Sequence, residues 1–384
     1  LNLSAKQIFF YYGACNAILG FHGCNYAVKT LPLYFKPLRY MNLKQYLTPQ
    51  DTDKWHELIN NATNIAILGH SGPDGDAIGA ILAMTHYLGK LDKQAVPITP
   101  NPCPDFLRWM PGIERVLTAS SPTSKAQTTL KESDLVICLD FSGYNRLEDL
   151  SSLVQELHVP TIVIDHHLDP QIKADLLVSD THASATCEIL YSILYQLDPT
   201  KICDRTIATC IYCGIMTDTG AFAYNSNRPE IFYITAMLIS SGIDKDKIYR
   251  SVYYNYSESR IRLMGYILNK KMQYFAQEHT AIYTLTTKEM AEYNFVRGDA
   301  EGFVNLPLQI KGTKLSISMR EDAEKPLVRI SLRSVGDFPC NKMAEEFFNG
   351  GGHFNAAGGS LPKPIEEAYQ TALKAIKAYR SQLI

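Results

Sequence analysis

No uninterrupted apolar run in these 384 residues approaches the roughly 20 that a membrane-spanning helix needs, so the chain does not read as a membrane protein. An excess of charge of one sign is also missing: 37 Lys and Arg stand against 39 Asp and Glu, a formal net charge of -2. That balance argues against a surface coated with basic residues for long nucleic acid, and any site for a polyanion has to be built locally. Paired cysteine motifs are scarce. The nine cysteines are odd in number and scattered through apolar runs such as "DLVICLD", which suits buried thiols in a reducing cytoplasm better than a disulfide framework. Cys210 and Cys213 form a single Cys-x-x-Cys pair, and inside the helix-like run "RTIATCIYCGIM" with no second pair they read as core residues. Internal repeats and low-complexity tracts are absent as well.

What is present is the length and composition of an ordinary globular protein of two domains, with 46% hydrophobic and 20% charged residues. Residues 1–40, rich in aromatics, fit no signal-peptide pattern and read as an N-terminal extension that is either non-native or poorly ordered. A domain is expected over 41–252. From Thr63 onward "NIAILGH", "QAVPIT", "DLVICLD", "TIVIDHH" and "ADLLVS" read as strands alternating with helices that begin near Gly75, Ser151, Ala183, Asp204 and Pro229. The expected fold class is therefore α/β, a doubly wound, mostly parallel sheet that places ligands at the carboxyl ends of its strands. A helical connector is expected over 253–278, from "YSESRIRLMGYILNKKMQYFAQ". A smaller α+β domain over 279–384 follows, with strands "HTAIYTLT", "KLSISMRED" and "PLVRISLRS", a helix near 341–348, "GGGHFNAAGGSLP" and a closing helix from Pro364.

The chemistry concentrates at the strand ends of the first domain. "HSGPDGD" supplies His70, Asp74 and Asp76; "VICLD" ends at Asp140; "IVIDHH" ends at Asp165, His166 and His167; "GIMTDTGAF" supplies Asp218 after a helix. Carboxylates at buried strand ends are costly unless something neutralises them, and Arg146 is the one basic residue close by in sequence. A pair of divalent cations would neutralise them, and oxygen with imidazole ligands suits manganese better than thiolate-seeking metals. Two metals about 3.5–4 Å apart hold a bridging hydroxide and clamp a phosphate for in-line attack, which is hydrolytic phosphoester chemistry. Each motif alone has a plainer reading as a surface turn, a helix cap or a satisfied loop cluster. Together, in this order at element ends, they read as one site.

The order "HSGPDGD", "LDFSGYNR", "IDHH", "TDTGAF" and C-terminal "GGGHFNAAG" resembles the DHH phosphoesterase superfamily, and within it the bacterial nano-RNase and pAp-phosphatase branch with the DHH-associated C-terminal domain. The resemblance implies two Mn2+ ions, with Mg2+ or Co2+ as substitutes. It implies that His70 and Asp74 bind one ion, that Asp76, His166 and Asp218 bind the other, and that Asp140 bridges them. His167 is implied to contact or orient the scissile phosphate, with Asp165 behind it holding an imidazole in its tautomer. In the second domain it implies substrate contacts from Arg333 and Ser334 in "SLRS" and from Gly350, Gly351, Gly352 and His353, with Arg320 in "SMRED" a further candidate. Successive glycines let backbone N–H groups approach phosphate oxygens, and an arginine fork fits a phosphate bidentately. A glycine triplet is also often only a tight turn.

The expected activity is manganese-dependent hydrolysis of RNAs of two to five residues, linear pApA included, to mononucleotides, with removal of the 3′-phosphate from adenosine 3′,5′-bisphosphate. Long-strand exonucleases of this superfamily usually carry extra nucleic-acid-binding domains, and this sequence shows neither a spare domain nor a basic excess. Cyclic di-AMP phosphodiesterases, single-strand exonucleases and exopolyphosphatases are the enzymatic alternatives, and a nucleotide-binding regulator is the non-enzymatic one. A cytoplasmic enzyme, partnered by short RNA and nucleotide bisphosphates and compatible with a homodimer, completes the expectation.

Overall fold

In the computed structural model, residues 43–119, 124–296 and 298–384 are described; the 1–40 extension lies outside them. The near-continuous apolar runs become strands buried on both faces, as a parallel sheet sandwiched by helices requires. β1 (Asn64–Leu68), β2 (Gln94–Thr99), β3 (Leu117–Thr118), β4 (Leu135–Leu139), β5 (Thr161–Asp165) and β6 (Leu176–Ser179) form one sheet in the order β3-β2-β1-β4-β5-β6. All its pairings are parallel. The strand order reverses between β1 and β4, and the crevice at such a point is where sheets of this kind bind ligands.

The helices are α1 (Pro49–Asn61), α2 (Gly75–Gly89), α3 (Lys125–Lys131), α4 (Ser151–Glu156), α5 (Thr186–Leu197), α6 (Pro199–Ile202), α7 (Arg205–Asp218), α8 (Pro229–Ser240) and α9 (Lys245–Tyr253). α2 and α7 approach each other closely because glycines stand where they meet. A Cβ on Gly79 would fall 2.6 Å from the Cys210 carbonyl oxygen, and one on Gly214 would fall 2.3 Å from Cys187 Sγ and 2.8 Å from Asp76 Oδ1. This packing seats the first turn of α2, and Asp76 with it, against α5 and α7. Cys210 and Cys213 are buried and free, and all cysteines among the described residues are unpaired.

The expected connector helix ends early. α10 covers Glu258–Tyr266, a wider π-type turn follows over Ile267–Lys271, and Gln273–Phe275 is a strand, β7. Gln273 and Tyr274 pair antiparallel with Ile282 and Ala281, so edge pairing overrides the helical spacing of that segment. β7 opens a second sheet with β8 (Thr280–Leu285), β9 (Leu315–Glu321), β10 (Val328–Ser334), β11 (Gly351–His353) and β12 (Ala356–Leu361), in the order β11-β12-β10-β9-β8-β7. Every pair is antiparallel except β8 with β9. α11 (Thr287–Glu292) follows β8, and α12 (Cys340–Phe347), α13 (Ile365–Ala378) and α14 (Arg380–Leu383) complete this half.

One face of the second sheet buries Ile282, Leu315, Ile317, Ile330 and Leu332 with residues of α12 and α13. By strand alternation the other face carries Ser316, Ser318, Ser331 and Arg333. The glycine segment is therefore a hairpin rather than a free loop. A Cβ on Gly350 would lie 1.9 Å from the Gly358 carbonyl oxygen, and Gly352 has φ +140° with its Cβ position 2.6 Å from the Ala356 carbonyl oxygen. Close backbone packing by itself demands glycine at both positions.

Candidate metal centre and phosphate cleft

The site assembles from the ends of elements. β1 runs into the turn that carries His70 and ends at Asp74, which caps α2: its Oδ1 accepts from the amides of Asp76 and Ala77 at 3.0 and 3.1 Å. The turn's prolyl and glycyl residues let the chain reverse between strand and helix, so Asp74 and Asp76 leave a single helix start in different directions. Asp140 follows β4 with φ +66°, a left-handed conformation that an aspartate adopts at a cost and that functional sites often retain. Asp165 ends β5, and His166 and His167 follow it. Asp218 is the last residue of α7.

These groups meet in two triads. His70, Asp74 and Asp140 have ligand atoms within 4.8 Å of one another, and so do Asp76, His166 and Asp218. Asp140 faces both, with Oδ2 3.3 Å from His70 Nε2 and Oδ1 3.5 Å from His166 Nε2. His166 Nε2 also lies 3.5 Å from Asp218 Oδ2. All six residues assigned to metal binding are thus brought together, with Asp140 in the central position.

The electrostatics show what the cluster lacks. Burial, with Asp76 and Asp74 beside it, raises the Asp140 carboxyl well above the usual carboxylate range. Burial pushes Asp218 up to about 7 against the pull of His166, although its side chain keeps 31% of its surface open to the cleft. Burial alone would depress His166, but Asp218, Asp140 and Asp76 outweigh it and raise the imidazole to about 9. His70 is held low by burial, and its Nε2 is buried without a hydrogen-bond partner. Carboxylates that resist ionising together around an unpartnered imidazole nitrogen need a positive charge between them. A hard divalent cation in each triad meets that need, and the donor set of carboxylate oxygen and imidazole nitrogen fits it.

Asp165 and His167 form a separate pair. Asp165 Oδ1 lies 2.7 Å from His167 Nδ1, while Oδ2 accepts from Ser142 Oγ at 2.5 Å. Despite burial, the bonds from His167 and Ser142 bring Asp165 down to about 2. The anion orients the His167 ring through Nδ1. From the second sheet His353 reaches this pair. Its ring stacks on His167 with centroids 5.1 Å apart and lies 5.4 Å from His166. Burial, then repulsion from His166 and His167, holds it down to about 4.

Arg333 is half-buried on the cleft face of β10; burial lowers it, and Asp218 and Glu301 are among the groups acting on it. Arg320 lies over the Phe295 ring, 5.1 Å from its centre. Ser334 departs from the expectation. It alternates to the core face, where its hydroxyl donates to the Phe338 carbonyl at 2.7 Å and accepts from Asn355 Nδ2 at 2.8 Å, so it braces the hairpin instead of facing substrate. Gly350 and Gly352 serve backbone packing as described above.

The segment Asp180–Glu188 holds functional groups that motif reading missed. The amides of Thr186 and Cys187 donate to Asp76 at 2.6 and 3.0 Å, Thr186 Oγ1 donates to Asp140 Oδ1 at 2.9 Å, and the Ala183 carbonyl lies 3.3 Å from His166 Nδ1. Glu188 ties the segment down by accepting from the Ser184 amide and from Arg228. A Ser-Ala-Thr stretch opening a helix with Glu in its first turn was the available signal.

Fold and site together define a metal-dependent hydrolase of phosphate esters. The chain belongs to the DHH family: residues 64–215 match the DHH family N-terminal domain and residues 281–382 match the DHHA1 domain. The crystal structure of an exopolyphosphatase-related protein from Bacteroides fragilis superposes with a TM-score of 0.84 at 42% identity, covering 89% of this chain and 99% of that one. The bifunctional oligoribonuclease and PAP phosphatase NrnA of Thermus thermophilus is 29% identical over 318 residues, 82% of this chain and 89% of that protein. The cyclic-di-AMP phosphodiesterase PdeA of Listeria monocytogenes is 25% identical over 84% of this chain but only 49% of its own length.

Proposed function

We propose that this protein hydrolyses short oligoribonucleotides of two to five residues, linear pApA among them, to mononucleotides, and removes the 3′-phosphate from adenosine 3′,5′-bisphosphate. The observation that carries the proposal is the confrontation of Arg333 and His353 on the second sheet with the double triad on the first. One half holds a phosphate while the other is built to cut it. Similarity to NrnA over most of both chains supports the same substrates.

His70, Asp74 and Asp140 would hold one Mn2+, and Asp76, His166, Asp218 and Asp140 the other, with Mg2+ or Co2+ as substitutes. The chemistry such a pair supplies is activation of water near neutral pH and neutralisation of charge on the phosphate. The chain's own residues do the rest. Asp140 presents one oxygen to each triad, and Thr186 fixes which oxygen faces which. Asp165 keeps the Nδ1 proton on His167, so Nε2 meets the phosphate in a single orientation. Arg333 binds the phosphate of the neighbouring nucleotide, and the depressed His353 approaches it as a neutral ring. We place the enzyme in the cytoplasm; among the described residues no helix is long and apolar enough to cross a membrane. A homodimer remains part of the proposal.

Cyclic di-AMP is the second reading, favoured by the match to PdeA. Purified protein with Mn2+ should turn over pApA, pAp and a five-residue RNA faster than cyclic di-AMP, polyphosphate and long single-stranded DNA. Equal rates on long DNA and pApA would overturn the preference for short substrates.

A further inference from the structure

We propose that Tyr224 is the platform on which the substrate's nucleobase stacks, beside the phosphate held by Arg333. The inference rests on the nucleotide reading above and adds the part of the substrate that its phosphate contacts leave unbound.

The loop after Asp218 is bent in an unusual way. Gly220, Ala221 and Phe222 have successive φ values of +54°, +58° and +66°, so two residues with side chains take a conformation that favours glycine. The loop is held there by bonds from the Ala221 amide to the Met216 carbonyl at 2.7 Å, from the Tyr224 amide to the Thr219 carbonyl at 2.9 Å, and from the Phe222 amide to Thr219 Oγ1 at 3.0 Å. The bend divides the two aromatic rings. Phe222 turns inward, with its ring 6.1 Å from that of Tyr212 and 5.7 Å from that of Phe232, whereas Tyr224 turns outward and stays 48% exposed.

Gly220 makes room for the Tyr224 ring. A Cβ on Gly220 would fall 2.6 Å from Cδ2 of the ring, so the absence of a side chain there lets the ring lie against the backbone. Tyr224 and Asp218 both lie within electrostatic reach of the Arg333 guanidinium. An exposed, supported ring thus stands in the loop that leaves the metal-centre carboxylate Asp218, its amide bonded to the carbonyl of the residue that follows that carboxylate. A two-residue substrate offers few phosphates to a protein whose net charge is -2, so part of its affinity has to come from its bases. Stacking suits that task because every base has a π-face, and the enzyme need not read sequence.

Steady-state kinetics on pApA with Mn2+ test the assignment in wild type, Y224A, Y224F, Y224W and, as a control, Y254A, whose 72% exposed ring lies at the end of α9. Y224A should raise KM by about tenfold or more with kcat nearly unchanged, while Y224F, Y224W and Y254A stay close to wild type. An unchanged KM in Y224A overturns the proposal, as does an equal loss in Y224F, which would assign the hydroxyl instead of the ring. Calorimetry with AMP and ribose 5-phosphate separates this outcome from a failure of the substrate reading. Wild type should bind AMP more tightly than ribose 5-phosphate and Y224A should bind both alike, whether or not pApA is turned over; equal affinities in wild type overturn the stacking role.

Discussion

The two halves of the molecule present their working groups in different ways. In the first, the clustered carboxylates and imidazoles project from the carboxyl ends of β1, β4 and β5 and from the ends of α2 and α7, where the chain leaves the core and a short motif can carry several groups at once. In the second, Arg333 lies within a strand and His353 closes a hairpin strand, so each owes its placement to register: Arg333 pairs with Ala356, and Ala356 pairs with His353. The first half concentrates charge that only a cation relieves. The second sets Arg333 among serines on the sheet face opposite the core and brings the His353 imidazole against His167. A polyvalent centre can be built from loops at one sheet edge, whereas a surface that measures a ligand needs a rigid sheet.

That contrast can be broken most severely at Asp140. Asp140→Ala removes the carboxylate that faces both triads and should lower kcat by about a thousandfold or more, with calorimetry showing loss of tight Mn2+ binding. Near-normal turnover would dissolve the shared-ligand assignment. Arg333→Ala tests the other half and should raise KM for pApA by about ten- to a hundredfold while kcat changes little. A loss confined to kcat would move Arg333 from holding substrate to assisting chemistry.

A third test uses pH on metal-free protein. Asp218, raised to about 7, binds more protons when folded than when unfolded, so its contribution to stability is complete below the ordinary carboxylate range and is lost as pH rises through 7. His166, raised to about 9, likewise stabilises below the ordinary imidazole value, and this is lost as pH rises through 9. The thermal midpoint of metal-free protein should therefore fall from acid toward pH 9 relative to Asp218→Asn, and the gain on adding Mn2+ should grow over the same range. A gain that shrinks with rising pH would contradict proton displacement by the cation. The smallest effect is expected at Ser334. Ser334→Ala should cost about 1 kcal/mol of stability in denaturant titration and leave KM unchanged; a raised KM would return it to the substrate site.

The cluster of carboxylates and imidazoles was legible because each piece sits within a few residues of a strand or helix end, where turn residues and apolar runs mark the position in sequence. The supporting segment around Thr186 was not. Its contacts to Asp76 and Asp140 span 110 and 46 residues, and two of the three come from backbone amides that every residue type possesses. Ser334 was misread for a related reason: adjacent residues of a strand face opposite sides, so the "SLRS" motif could not put both Arg333 and Ser334 in the cleft. The connector failed at Gln273–Phe275, where a helical spacing of apolar residues lost to edge pairing with β8.

By itself, then, the order of residues determined the family, the parallel α/β sheet and the identity of the carboxylates and imidazoles at its strand ends, because hydrophobic periodicity and buried charge are local properties. Only the tertiary structure decided that Asp140 stands between two triads, that His353 stacks on His167, that Gly350 and Gly352 are demanded by backbone packing and that Tyr224 turns outward while Phe222 turns inward. Those outcomes depend on which strands become neighbours and in what register, and such contacts form between residues that no short stretch of sequence brings together.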